Sequence, residues 1–217
     1  MKRRIFAIML SALMVITSVT GCSSGTTPDS NGGNTDTSSE NPADRTLKLR
    51  LIASLASLDW EQTTNTRDMK VWHQMYEGLY GMDESNNGYY KELAKDVKLS
   101  DDQMVYTITL QDGVKFQNGE DLKASDVVFS YKRAMKNPKF NYLTSMINDV
   151  EAVDDQTVKF TLDKPYAPID HTFFCIKITN EKEVTEQGDK FGTRPNKAGT
   201  GPYYSVDYNI ATGVKLK

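Results

Sequence analysis

Between Val105 and Leu110 every second position is apolar: Tyr106, Ile108 and Leu110 alternate with Thr107 and Thr109. Such a period of two, rich in β-branched and aromatic residues, predicts a half-buried strand. Asp112-Gly113 supplies a turn, Val114-Lys115-Phe116 a short returning strand, and Asn118-Gly119 a second turn of the kind tight hairpins favour. The period then changes. Val127, Val128, Tyr131 and Met135 recur at helical spacing, with Ser125 or Asp126 placed to cap the helix and Asn137-Pro138 placed to end it. A second helix follows from Met69, Trp72, Met75 and Tyr76, with His73 a packed or surface residue on it. Alternation predicts a first strand through Leu47, Leu49 and Leu51. It also predicts a hairpin over residues 147–162, with Val158, Phe160 and Leu162 as its apolar face and Asp154-Asp155 in its turn. Ile169 to Ile178 is largely apolar, with Cys175 a small buried hydrophobe inside it. A last strand begins at Val214.

The first residues break these patterns. Lys2-Arg3-Arg4 precede the apolar run Ile5–Ile16, which is a secretory signal and too short for a span of about 20 residues. It ends in Val19-Thr20-Gly21-Cys22, which resembles a bacterial lipobox. Residues 1–21 are therefore expected to be removed and Cys22 to carry the lipid that anchors the chain to the membrane. Residues 22–45 have no aromatic and no aliphatic side chain larger than Ala, so they read as a disordered tether with a reach of about 25–30 Å. The folded part is expected from Thr46.

Composition narrows the function classes. The 217 residues suffice for one domain or an incomplete larger one. Loss of Lys2, Arg3 and Arg4 takes the formal charge from −3 to −6, which argues against a nucleic-acid partner. Two cysteines cannot build a disulfide framework, and two histidines, His73 and His171, leave a catalytic triad or a metal cluster without material. There is no G-x-S-x-G, no H-E-x-x-H and no phosphate-cradling glycine loop. The expectation is a binding protein, not an enzyme, with no cofactor and no metal.

Several motifs together carry a resemblance. They are the block from Leu110 to Gly119, with Gln111 where an Arg is usual; Lys123 to Arg133; Ser57-Leu58-Asp59-Trp60, with Trp for Pro; Tyr76-Glu77-Gly78-Leu79; Leu93 to Val97; Val150 to Leu162; and Gly199-Thr200-Gly201-Pro202-Tyr203. The chain resembles the extracytoplasmic oligopeptide-binding family, the large peptide- and nickel-binding receptors of ABC importers. The resemblance implies an α/β fold of the two-lobed, type II (cluster C) periplasmic-binding-protein kind, with a mixed sheet and hairpins. Residues 46–80 and about 176–217 would belong to lobe I, and about 81–175 to a small extra subdomain. The second lobe would be missing, so the chain reads as a truncated or partial form. The implied function is that of a monomeric, lipid-anchored, extracytoplasmic receptor that captures oligopeptides and hands them to permease subunits. Alternatives are a nickel, dipeptide or other small-solute receptor of the same family, or a surface lipoprotein without a transport role. By the same resemblance Thr64, Asn65 and Thr66, in the loop Glu61–Arg67, line the ligand cleft, or else form an ordinary polar loop. Tyr142 contacts ligand, or else is a core aromatic.

Overall fold

A computed structural model describes residues 47–50, 53–83, 85 and 88–217. The signal sequence, Cys22, the tether and Leu51 lie outside the described residues. Residues 48–217 form one compact unit.

The alternating strand does form. β4 (Val105–Leu110) buries Tyr106, Ile108 and Leu110 and turns its threonines outward. It lies inside a four-stranded sheet with β3 (Ala94–Leu99), β5 (Ile147–Ala152) and β6 (Thr157–Leu162) in the order β3-β4-β6-β5. In register, Tyr106 faces Phe160 and Ile108 faces Val158, so the apolar positions of both strands fall on one side. Every strand pair among the described residues is antiparallel, where the resemblance implies a mixed sheet; β3-β4 and β5-β6 are each joined directly in sequence, and β6 pairs antiparallel with β4 after the intervening residues 111–156.

Helix α2 (Ala124–Lys136) packs against β5 and β6. Its buried stripe is Ala124, Val127, Ser130, Tyr131 and Ala134, with Tyr131 edge-on to Phe160 and the ring centroids 4.7 Å apart. Val128 and Met135, expected in that stripe, are only half-buried at its margin. The cap also differs from expectation. Lys123 precedes the helix, and Asp126, inside the first turn, reaches back to accept from the Lys123 N–H at 3.0 Å. The other Asp126 oxygen accepts from the Glu181 N–H at 2.9 Å and so ties α2 to helix α5 (Glu181–Gln187). Ser125 is exposed. The returning strand at Val114–Phe116 shrinks to one bridge, Lys115 to Asp121, because the chain turns again at once over Asn118-Gly119.

Helix α4 (Ile169–Cys175) places Phe173 against Tyr80, Tyr106 and Phe160 at 5.2–5.7 Å, the aromatic centre of the core. Tyr80 belongs to a hairpin that the sequence reading lacks, β1 (Tyr80–Asp83) with β2 (Gly88–Lys91). Helix α1 (Thr66–Met75) is stitched to the Gly199–Tyr203 segment. The Gly201 N–H donates to the Met75 carbonyl (3.0 Å), the Tyr203 N–H to that of Gln74 (2.9 Å), and the Gln117 amide to those of Met75, Gly201 and Tyr203 (2.7–2.9 Å). A Cβ on Gly201 would lie 2.7 Å from the Met75 carbonyl carbon, so a glycine is needed for the close approach. After it, β7 (Ser205–Asn209) and β8 (Gly213–Leu216) form a separate hairpin. At the other end, Leu47 and Leu49 are 81% and 77% exposed and form no strand. No described strand lies beside them to supply the ladder an isolated strand needs.

Candidate functional site

A cleft of about 50 Å³ opens where the turn Trp60–Gln62, helix α1, the short helix α3 (Asn141–Thr144) and the end of α4 meet. Its walls are mainly apolar, with Trp60, Trp72, Phe140 and Tyr142 as the aromatic part. Trp60 meets Phe140 edge-on at 5.2 Å, and Trp72 donates its indole N–H to the Ser57 carbonyl at 3.1 Å. The Trp60 indole N–H is buried and has no acceptor among the described residues.

The turn that presents Trp60 is held by charge. One nitrogen of Arg133, on α2, reaches both Asp59 and Glu61 at 2.8 Å, and Asn137 donates to the Glu61 carbonyl at 2.9 Å. Asp59 also accepts from the Glu61 N–H at 3.1 Å. Burial nevertheless pushes the Glu61 carboxyl up to about 7; Arg133 opposes that rise and Asp59 adds to it.

On the α1 side His73 lies flat on Phe174, with ring centroids 5.3 Å apart and planes at 17°. Burial, and secondly the charge of Lys177, push its imidazole down to about 4, so it is neutral at pH 7. Lys177 holds its ammonium 4.5 Å from the centre of the same Phe174 ring, and burial pushes it down to about 8. Cys175, a free cysteine, is only half-buried, but desolvation holds its thiol up at about 11, which suits neither a nucleophile nor a thiolate ligand. No group of three or more His, Cys, Asp or Glu among the described residues could hold a metal ion.

Two of the four expected ligand residues come together here. Thr64 and Tyr142 both line the cleft although 78 positions separate them in sequence. Tyr142 is 63% exposed, so its alternative role as a core aromatic is not met. Leu143, the next residue, takes the buried place. Asn65 and Thr66 are exposed but do not line the cleft. Asn65 is the residue before α1, where its carbonyl accepts from Asp68 and Met69, and Thr66 opens the helix. Trp60, Trp72, His73 and Lys177 are not singled out as ligand residues from sequence. Trp60 carries a usable signal, since it replaces a proline of the motif, and so does Lys177, a lone charge among Phe173–Ile178.

A larger depression of about 680 Å³ lies between the start of α2 and α5. It is lined by charged and polar side chains, and three of its carboxylates are already engaged: Asp126 with backbone N–H groups, Glu120 with Lys182 and Asn180, and Asp121 with Lys115. The cleft at Trp60 is therefore the candidate site.

Known proteins give the arrangement a context. Residues 88–217 match the family model described as bacterial extracellular solute-binding proteins, family 5, middle part. The glutathione-binding protein GsiB of Salmonella typhi is 33% identical over 172 residues, which cover 76% of this chain and 33% of that protein. Listeria monocytogenes OppA bound to peptide superposes with a TM-score of 0.67 at 30% identity, over 74% of this chain and 36% of that one. NikZ from Campylobacter jejuni in complex with Ni(L-His) superposes with a TM-score of 0.63 at 29% identity, over 75% and 33%. The chain thus spans about a third of the length of the curated relatives it matches. In fold it is like type II periplasmic binding proteins.

Proposed function

The chain belongs to family 5 of the bacterial extracellular solute-binding proteins, and from that premise we propose that it serves as the substrate-binding receptor of an ABC importer for oligopeptides, outside the cytoplasm and held to the membrane by lipid on Cys22. The observation that carries the oligopeptide reading is the cleft itself. Aromatic walls at Trp60 and Trp72 accept varied side chains, while Thr64 and the Tyr142 phenol offer hydrogen bonds to a peptide main chain. A bare metal ion would find one imidazole already stacked on Phe174 and a thiol held protonated.

Full-length relatives have about two thirds of their length beyond the matched part, and in this proposal that part supplies the opposite wall of the cleft. A peptide on one wall stays half-solvated while its ordering still costs about 0.5–1.5 kcal/mol per immobilised side chain. Calorimetric titration with a pool of tri- to pentapeptides is the test. A protein of the relatives' full length that contains this chain is expected to bind at micromolar concentration or below, and the 217-residue chain only in the millimolar range. A full-length form that ignores peptides and takes up a nickel chelate instead would sink the oligopeptide reading.

A further inference from the structure

Lys177 is only 5% exposed, yet it lines the cleft. Among the described residues no carboxylate lies within 4 Å of its ammonium and no acceptor bonds it; it sits 4.5 Å from the centre of the Phe174 ring. Glu77 and Glu92 act on its charge only from beyond ion-pair distance. Glu92 is occupied elsewhere, with one oxygen accepting from the Gly78 N–H and the other from the Tyr90 hydroxyl. The neighbouring His73 is neutral and Cys175 is protonated, so neither offers a countercharge. The Lys177 backbone is fixed by its bridge to Gly78. A buried ammonium without a partner is destabilising, and a methionine would fill the same space without that cost.

We propose that Lys177 is the counter-charge for a carboxylate that a ligand inserts into this cleft, so that the site favours short peptides bearing an acidic side chain or a free C-terminal carboxylate. The proposal rests on the cleft being the ligand site. The space fits such a group: about 50 Å³ takes a few water-sized spheres of roughly 10–15 Å³ each, the size of a carboxyl with its first methylenes.

Both tryptophans of the chain line the cleft, so intrinsic fluorescence reports on its occupancy. The full chain would be titrated, at constant ionic strength and into the millimolar range, with three peptides. These are acetyl-Ala-Glu-Ala-amide, acetyl-Ala-Gln-Ala-amide, and acetyl-Ala-Gln-Ala with a free C-terminus. At least one carboxylate-bearing peptide is expected to bind about tenfold more tightly than the neutral one. Which one it is identifies the source of the carboxylate. In Lys177→Met the preference for the carboxylate-bearing peptide over the neutral one should vanish, and Lys177→Gln gives the same comparison should the methionine variant fail to fold. Equal binding of all three peptides by the wild type, or a preference that survives both substitutions, would overturn the role of Lys177 and leave the cleft standing. No fluorescence change with any peptide would overturn both.

Discussion

Glu61 and His73 pull stability in opposite directions over the same pH range. The Glu61 carboxyl stands at about 7 in the folded protein against 4.5 in an unfolded chain. Between those values the folded state holds a proton that the unfolded state has lost, so stability falls as pH rises. His73 stands at about 4 against 6.5; there the unfolded state binds the extra proton and stability rises with pH. From pH 4.5 to 6.5 the two slopes largely cancel. Glu61→Gln keeps an acceptor for Arg133 but removes the titration. Relative to wild type, its unfolding free energy from urea denaturation is expected to climb with pH across this window, by on the order of 2 kcal/mol in total. His73→Gln should show the reverse slope. Identical pH profiles for Glu61→Gln and wild type would mean that this carboxyl does not titrate there. The residue names alone reveal none of this, because the shifts come from burial by segments distant in sequence.

At the scale of elements, two glycines do different work. Gly113 sits at φ +69 with nothing within 4 Å of where a Cβ would be, so its turn needs a backbone shape. Gly201 has no such φ; it needs the missing side chain, because a Cβ would stand 2.7–2.9 Å from the backbone of Gln74 and Met75. Gly113→Ala is expected to cost about 1–2 kcal/mol, with Asn at that position recovering much of it. Gly201→Ala should cost about 1–3 kcal/mol, and Asn there should be worse than Ala. Urea denaturation of the four variants decides between shape and space; Asn rescuing Gly201 would refute the steric account. The turn at Gly113 is legible in Asp112-Gly113. The reason for Gly201 is not, since it lies in the end of α1, more than 120 residues earlier.

At the scale of the whole molecule, the compact unit of residues 48–217 is in this proposal joined by its tether to a lipid on Cys22. Acyl chains contribute about 0.8 kcal/mol per buried CH₂, and two chains on one residue make the anchoring stable. Expressed in a bacterium with lipoprotein processing, the protein should enter the detergent phase on phase separation, and Cys22→Ala should remain in the aqueous phase. Equal partitioning of the two would remove the anchor from the model of function.

Local chemistry determined what could be read from the sequence alone. Alternation along Val105–Leu110 and Thr157–Leu162, the helical spacing of α1 and α2, and the turns at Gly113 and Gly119 each follow from a few neighbouring residues. Their sequence of motifs is also enough to identify the family. Tertiary structure decided the rest. Leu47 and Leu49 alternate as well as any strand in the chain, but a strand requires a partner, and none of the described residues supplies one. Lys123 rather than Ser125 or Asp126 precedes α2, because Asp126 is held between two backbone N–H groups, one of them 55 residues away. Thr64 enters the cleft and Asn65 and Thr66 do not: Asn65 is the extended residue whose carbonyl accepts from Asp68 and Met69 at the start of α1, and Thr66 opens that helix on an exposed position. Trp60, Tyr142 and Lys177 meet only through packing, and a cleft assembled from positions that far apart has no period along the chain from which to read it.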